Sequence, residues 1–243
     1  MDPRERLIVA LDVSTAAAAR KIVAAVGDSS FNFKVGMQLY TAEGPSIVRD
    51  LVQSGRRVFL DLKYHDIPNT VAGAVREAAR LGVSMLTVHA SGGAKMLRAA
   101  VEAQKASDAN LLVLAVTVLT SLNDDELSDL GLRGGVLDQV HKLSALALSN
   151  GCGGIVASAL EAGSLRKEFG RKFGKDFAIV TPGVRPAGGD RGDQARVVTP
   201  AEAIAAGASH IVVGRPIAEA ADPAAAAKAI LEQMDSSPWV VSS

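Results

Sequence analysis

The chain has 243 residues, of which 48% are hydrophobic and 21% are charged, and its formal net charge at pH 7 is zero. This composition is typical of a globular protein with a large hydrophobic core. Without a surplus of basic residues the chain does not fit a general nucleic-acid-binding protein, although a local basic cluster could bind a small anion. No apolar run approaches the roughly 18 residues of a transmembrane helix, so we expect no membrane partner.

A single cysteine, Cys152, excludes an intrachain disulfide and a cysteine cluster that could bind zinc. The charged residues 1–6 are followed by a short apolar segment, Leu7–Ala10, which is too short for the hydrophobic core of a signal peptide. We therefore expect the protein to reside in the reducing cytoplasm.

Apolar, β-branched segments alternate with alanine-rich segments along the chain, with no break in composition that would indicate a linker. The predicted strands are Leu7–Leu11, Phe33–Gly36, Val58–Leu62, Met85–Val88, Leu111–Leu119, Gly154–Ala157, Ala178–Val180 and His210–Val213. The predicted helices are Ala16–Val26, Gly44–Ser54, Thr70–Leu81, Lys95–Lys105, Val136–Asn150, Ala159–Phe169, Pro200–Ala206 and Ile217–Met234. The strands are apolar throughout, as expected for parallel strands that are covered on both faces.

This series of strand–helix pairs, in a chain of this length, predicts an α/β protein with a single (β/α)8, or TIM, barrel domain. We expect the domain to cover residues 1–243, with a barrel core over about residues 7–234 and a peripheral tail at residues 235–243. An open doubly wound sheet is the main alternative. It is less favoured because the first strand is not followed by a G-x-G-x-x-G motif.

Residues 58–70 are the most informative segment, because they place three charged side chains directly after an apolar strand. Since strand side chains alternate between faces, Asp61 and Lys63 should point the same way. In a barrel they would lie at the carboxyl end of the strand, where barrel enzymes carry their catalytic groups. The alternative is an ordinary ion pair, with Asp66 as the N-cap of a helix that has Pro68 in its first turn.

Polar residues also follow nearly every other predicted strand, which is more than random loops would supply. Lys34 interrupts an apolar strand, so it must either be paired or be excluded from its strand face. With Asp61 on the adjacent strand, an ion pair is the natural solution. Asp12 and Ser158 could instead be helix caps, and His89 could be a structural histidine. The remaining residues at strand ends are Thr120, Ser121, Thr181–Gly183, Gly214 and Arg215.

The segment between the last two predicted strands is rich in glycine and carries Arg185 and Arg191, and Gly214 and Arg215 then open the last predicted helix. Glycine permits close backbone approach to a ligand, a helix N-terminus supplies free N–H groups, and arginine can donate two parallel hydrogen bonds to a phosphate. Because barrels often bind phosphate after strands seven and eight, we expect a phosphate site here. The alternative is a solvated surface loop.

Residues Asp61–Thr70 match the pattern D-x-K-x-x-D-I-P-N-T, and in this they resemble the bacterial orotidine 5′-phosphate decarboxylases. The core D-x-K-x-x-D alone is shared with a wider barrel superfamily, but the extended pattern together with Lys34 and Gln194 is much more specific. The resemblance covers the chain from Leu7 to about Met234. The other residues that match in the family's order are Asp12, Leu119–Ser121, Thr181–Arg185, Gly214 and Arg215.

The resemblance implies a TIM barrel that converts orotidine 5′-phosphate to uridine 5′-phosphate and CO₂, the last step of pyrimidine nucleotide synthesis, with no metal and no organic cofactor. It also implies a homodimer in which Asp66 and Thr70 reach into the partner's site. The implied catalytic residues are Lys34, Asp61, Lys63 and Asp66. The implied substrate-binding residues are Asp12, Lys34, Ile67, Thr70, Thr120, Ser121, Pro182, Arg185, Gln194, Gly214 and Arg215.

The chemistry that the resemblance implies is electrostatic. Loss of CO₂ from C6 leaves negative charge in the plane of the pyrimidine ring, with no adjacent π-system to absorb it, so fixed protein charges must stabilise it. Lys63 is the expected proton donor to C6, and Asp61 is expected near the departing carboxylate. Asp66 and Lys34 would complete an alternating row of two cations and two anions.

Two other functions fit parts of the pattern. Metal-dependent sugar-phosphate decarboxylases and aldol enzymes share the D-x-K-x-x-D core, but they resemble each other in carrying a carboxylate where this chain has Lys34. A lysine at that position would repel a divalent ion. A barrel that binds a nucleotide without catalysis is disfavoured because burying four charges is costly.

Overall fold

The computed structural model describes residues 2–107, 110–174, 176–186 and 198–235. Eight parallel strands close into a barrel in chain order, so the predicted TIM barrel is confirmed and the open doubly wound sheet is wrong. The strands are β1 (Leu7–Ala10), β2 (Asn32–Gly36), β3 (Arg57–Tyr64), β4 (Met85–His89), β5 (Leu112–Val116), β6 (Gly154–Val156), β7 (Ala178–Thr181) and β8 (His210–Val213).

The first strand closes the barrel because it pairs with both of its neighbours in parallel. Ile8 of β1 lies opposite Asn32 of β2 on one side and opposite Val212 of β8 on the other. A small apolar cluster fills the barrel, and a much larger one packs the outer faces of the strands against the helices. Burial on both faces explains why the strand sequences are apolar throughout. The inner cluster consists of Ile8, Ala10, Phe59, Met85, Leu114, Ala178, Val180 and Val212.

Helices surround the barrel on the outside. They are α1 (Pro3–Arg6), α2 (Ala16–Val26), α3 (Met37–Glu43), α4 (Ser46–Gln53), α5 (Pro68–Arg80), α6 (Gly93–Lys105), α7 (Asp124–Asp129), α8 (Val136–Ser149), α9 (Ala159–Phe173), α10 (Pro200–Ala205), α11 (Arg215–Ala218) and α12 (Pro223–Asp235). No helix in the described part of the chain is both long and apolar enough to cross a membrane.

The helices differ from the predicted ones in two respects. Residues 217–234, predicted as a single helix, are divided between α11 and α12. The division follows from Pro223, which has no N–H to donate to a preceding turn and therefore begins a new helix. The short helices α1, α3 and α7 were not predicted, although Asn123 and Glu126 form the capping box of α7 that their spacing in the sequence indicates.

Two strands also end more than one residue away from the predicted position. The third strand continues to Tyr64 rather than ending at Leu62, and the fifth ends at Val116 rather than at Leu119. Val118 and Leu119 line a cavity at the carboxyl end of the barrel. Their apolar character therefore reflects that cavity and not a longer strand.

The opposite, amino-terminal end of the barrel carries buried basic side chains. The Arg6 guanidinium donates to two backbone carbonyls just before β8, at 2.7 and 3.0 Å. His210, the first residue of β8, is 8% exposed, and its Nδ1 has no hydrogen-bond partner among the described residues. Burial first, and then repulsion from Arg6 and Arg57, lowers the pKa of His210 to about 4, although Glu5 opposes this shift.

Acidification should destabilise the protein through His210. An unfolded histidine has a pKa near 6.5, so the unfolded chain binds this proton more tightly than the folded chain does. The stabilisation should be complete above about pH 6.5 and should be lost as the pH falls toward about 4, a change of ~3 kcal/mol in the free energy of unfolding. Urea unfolding at about pH 7.5 and about pH 4.5 should show a larger loss for the wild type than for His210→Gln. Equal losses would assign the acid sensitivity to other groups.

Candidate active site

A cavity of about 470 Å³ opens at the carboxyl end of the barrel. Its floor is formed by apolar side chains at the ends of the strands, among them Phe59, Val156 and Val212. Charged groups that lie on an apolar floor interact more strongly than they would in water, because the local dielectric is lower. The polar and charged side chains that line the cavity are Asp12, Lys34, Asp61, Lys63, Thr120, Arg185, Arg215 and Glu219.

Four of these side chains form a row of alternating charge, in the order Asp12, Lys34, Asp61 and Lys63. Lys34 Nζ lies 2.8 Å from Asp12 Oδ1 and 3.8 Å from Asp61 Oδ2. Lys63 Nζ lies 2.9 Å from both carboxylate oxygens of Asp61. The side chains of Lys34 and Asp61 are only 12% and 13% exposed, so water screens their interaction weakly.

The predicted proximity of Lys34 and Asp61 is present, but Asp12 lies closer to Lys34 than Asp61 does. Asp12 is therefore an ion-pair partner, and its alternative interpretation as a helix cap is wrong, because the Thr15 side chain caps α2. Gly36 leaves room for this pair. A Cβ at position 36 would lie 2.9 Å from Lys34 Nζ and 3.3 Å from Asp12 Oδ1.

Simple strand alternation does not explain how Lys63 reaches Asp61. Leu60 pairs with Leu86 and Tyr64 pairs with Val88, so β3 carries extra residues opposite β4 and forms a bulge there. Lys63 lies in this bulge and has a φ of 52°, in the left-handed region that a residue with a Cβ rarely adopts. The predicted Asp61–Lys63 pair exists, but a bulge and not a regular strand produces it.

Sequence reasoning missed Thr87, which lies in β4 beside the charged row. Its Oγ1 donates to Asp61 Oδ1 at 3.0 Å and accepts from the backbone N–H of Lys63 at 2.9 Å. The side chain is fully buried. Thr87 interrupts an apolar strand just as Lys34 does, so the reasoning that singled out the lysine could have found the threonine.

Asp66, Ile67 and Thr70 do not line the cavity of their own chain. All three are exposed, and Ile67 is 67% exposed. Asp66 Oδ1 accepts from the Ile67 N–H at 2.6 Å, but the N-cap position of α5 belongs to Ile67 and has no side-chain cap bond. The interpretation of Asp66 as a helix N-cap is therefore wrong, while Pro68 does occupy the first turn of α5.

The predicted phosphate-binding residues within the described ranges meet at the same cavity. Pro182, Arg185, Gly214 and Arg215 all line it. Arg185 is buried, and its backbone N–H donates to the Val198 carbonyl at 3.0 Å. Gln194 and Arg191 lie outside the described residues.

Only some of the other predicted polar residues lie at the cavity. Thr120 lines the cavity, whereas Ser121 is exposed and does not. Ser158 is the N-cap of α9 and forms a capping box with Glu161, which confirms its interpretation as a helix cap. His89 ends β4, and burial is the main reason that its pKa is lowered.

The closed barrel carries charged side chains at the carboxyl ends of its strands, which is the arrangement typical of TIM-barrel enzymes. The chain belongs to the family described as orotidine 5′-phosphate decarboxylase / HUMPS, whose model matches residues 5–230. This confirms the resemblance and the prediction of a carbon–carbon lyase.

Individual relatives agree with this assignment. The chain is 49% identical to an orotidine 5′-phosphate decarboxylase of Moorella thermoacetica, over 97% of this chain and 94% of the relative. It is 53% identical to one of Anaeromyxobacter dehalogenans, over 95% of this chain and 98% of the relative. A crystal structure of the decarboxylase from Lactobacillus acidophilus superimposes with a TM-score of 0.84 at 39% identity, and the match covers 95% of this chain and 99% of that one.

The left-handed backbone of Lys63 predicts an unusual order of stability between two variants. Lys63→Gly should be more stable than Lys63→Ala by about 1 kcal/mol, because glycine adopts a positive φ without the steric cost of a Cβ. Both variants lose the ammonium group, so that loss cancels from the comparison. The control is Lys34 in β2, which lacks a positive φ, and there the alanine variant should be the more stable. Urea unfolding of the four variants measures both differences, and the same order at both positions would contradict backbone strain at Lys63.

Proposed function

We propose that this protein decarboxylates orotidine 5′-phosphate to uridine 5′-phosphate, the last step of pyrimidine nucleotide synthesis, without a metal or an organic cofactor. The observation that carries the proposal is the Lys63 ammonium, which Asp61 holds at 2.9 Å over an apolar cavity floor. The relatives that share about half of the sequence are named for this reaction.

Removal of CO₂ from C6 of the pyrimidine leaves an electron pair in the plane of the ring. The ring π-system cannot absorb that pair, so the barrier falls only if fixed charges lie beside the carbon atom. Enzymes lower such barriers by roughly 8–23 kcal/mol, and this reaction calls for the upper part of that range. The ammonium of Lys63 supplies both the opposite charge and the proton that finally replaces CO₂ at C6.

The other members of the charged row keep Lys63 in place and meet the leaving group. Asp61 lies next to the departing carboxylate in this proposal, and Lys34 compensates the charge of Asp61 at 3.8 Å. Asp12 in turn holds Lys34 at 2.8 Å and is near enough to the cavity to bind a ribose hydroxyl. Because these charges are arranged before the substrate binds, little reorganisation is needed when the carbanion forms.

The remaining lining residues suit the other parts of the nucleotide. Arg185 and Arg215 both line the cavity, and in this proposal they bind the phosphate together with Gly214 and Gln194. Thr120, with Ser121 beside it, would bind the edge of the pyrimidine. Binding of the remote phosphate can then drive closure around the substrate and exclude water, so it supports the rate as well as the affinity.

The proposal includes a cytoplasmic homodimer whose active sites lie at the interface. Asp66, Ile67 and Thr70 are exposed at the carboxyl end of the barrel, and none of them lines the cavity of its own chain. Large apolar side chains are exposed at the same end, with Met37 56%, Ile67 67% and Leu119 38% exposed. Such a surface favours a second copy, which would bring the Asp66 carboxylate to the neighbouring cavity.

The test of the reaction follows the ultraviolet absorbance of orotidine 5′-phosphate with purified protein in excess EDTA. Loss of the orotate chromophore with formation of uridine 5′-phosphate supports the proposal. The matched control is Lys63→Ala, which should lose nearly all turnover while its binding of uridine 5′-phosphate stays measurable. Folded wild-type protein that leaves the substrate unchanged would overturn the proposal, and Mg²⁺-dependent activity on a sugar phosphate would instead support the metal-dependent alternative.

The phosphate assignment predicts a substrate-dependent effect of Arg215→Ala. The variant should lower kcat/KM for orotidine 5′-phosphate by at least about 100-fold, because a charge-assisted pair to the phosphate is lost. It should lower kcat/KM for the nucleoside orotidine, which has no phosphate, by much less. Steady-state kinetics with both substrates measures the two effects, and equal losses would remove Arg215 from the phosphate site.

The shared active site predicts that two inactive variants restore each other. In a mixed dimer of Lys63→Ala and Asp66→Asn, one cavity contains an intact Lys63 and an intact Asp66 from the other chain. Random reassociation should therefore restore about a quarter of the wild-type sites. A mixture of Lys63→Ala and Asp61→Asn is the control, and it should stay inactive because both changes affect residues of the same chain's cavity. Recovery in neither mixture would place Asp66 outside the partner's site.

A further inference from the structure

We propose that Thr87 is a positioning residue for the chemical step, because its hydroxyl fixes the Asp61 carboxylate and the Lys63 backbone relative to each other. The inference rests on the proposed decarboxylation and adds a residue to its machinery. Thr87 does not line the cavity, so it acts through Asp61 and Lys63 and not by contact with the substrate.

The direction of each hydrogen bond at Thr87 is determined by its partner. The Lys63 N–H can only donate, and a carboxylate oxygen can only accept. The single hydroxyl proton of Thr87 is therefore directed to Asp61 Oδ1 at 3.0 Å, and an oxygen lone pair receives the Lys63 N–H at 2.9 Å. The hydroxyl connects two active-site residues and has no proton left for another acceptor.

By bonding to both residues, the Thr87 hydroxyl restricts the rotation of the Asp61 carboxylate and of the Lys63 backbone. The Asp61 carboxylate accepts from Lys63 Nζ through both oxygens, and the additional bond from Thr87 fixes which oxygen faces β4. The Lys63 N–H belongs to a residue with a φ of 52°, in a bulge where it is not part of a regular strand ladder. Without the hydroxyl, this N–H would lose the partner that supports its left-handed backbone.

Thr87 is also well suited to hold its own position. It is fully buried in a strand, and a β-branched side chain there has few χ1 rotamers available. A displacement of about 1 Å in a reacting group can lower a rate by about 100-fold. We therefore expect Thr87 to influence turnover much more than the binding of a product that lacks the C6 carboxylate.

The experiment compares Thr87→Val, which keeps the shape but removes the hydroxyl, with Thr87→Ser, which keeps the hydroxyl. Thr87→Val should lower kcat by about 10- to 100-fold, while the dissociation constant for uridine 5′-phosphate changes by less than about 3-fold. Thr87→Ser should restore most of kcat. The matched control is Thr117→Val, which removes another buried threonine hydroxyl, one that donates to the Val156 carbonyl at 2.9 Å and not to a member of the charged row. It should leave kcat within about 2-fold of the wild type.

Three results would overturn the proposal: an unchanged kcat in Thr87→Val, a loss in Thr87→Ser as large as in Thr87→Val, or an equal loss in Thr117→Val. If Thr87→Val does not fold, Thr87→Ala and Thr87→Ser carry the same comparison, because they differ only by the hydroxyl. The activity of the wild type distinguishes a failure of the proposed function from a failure of the proposed role of Thr87. A wild type that does not decarboxylate the substrate contradicts the proposed function, whereas an active wild type with equally active Thr87 variants contradicts only the role of Thr87.

Discussion

The alternating charges at the carboxyl end of the barrel are the constraint on which the rest of the site depends. Lys34 and Asp61 are nearly excluded from water, and each is tolerable there only because opposite charges lie beside it. Removing one member takes one opposite charge away from each of its neighbours in the row. The closed ring of parallel strands keeps these side chains at fixed distances, since the strands that carry them are paired in register beneath the cavity. The barrel thus holds the charged side chains rigidly in place, and stabilisation by fixed charges requires that rigidity.

Buried polar and charged groups lie at both ends of the barrel, but the protein accommodates them differently at each end. At the amino-terminal end, Arg6 donates to backbone carbonyls, and the lowered pKa of His210 keeps that ring neutral near pH 7. At the carboxyl end, Lys63 occupies a left-handed backbone in a bulge, and its ammonium faces an open cavity. Unfavourable local geometry is therefore concentrated where the chemistry is proposed, while the other end contributes stability.

Much of this architecture could be predicted from sequence because it depends on periodic apolar segments and on charges within them. The alternation of strands and helices predicted the barrel, and the isolated charge of Lys34 in an apolar strand predicted that this residue has a charged partner. The bulge at Lys63 could not be predicted, since it arises from the pairing of β3 with β4 and not from a local signal. The closer pairing of Asp12 with Lys34 was missed for a similar reason, because it depends on how β1 and β2 lie side by side. Gln194 lies outside the described residues, so its place in the site stays a prediction.

The order of the charges fits the homodimer that we propose. The row begins with the anion Asp12 and ends with the cation Lys63, whose ion-pair partner among the described residues is Asp61, a carboxylate that Lys34 also approaches. One further anion beyond Lys63 would continue the alternation, and the next carboxylate along the chain, Asp66, is exposed and does not line this cavity. In the homodimer that we propose, the Asp66 carboxylate of a second copy would supply that anion. Two anions beside one ammonium would hold it at the cavity in which we propose that the carbanion forms.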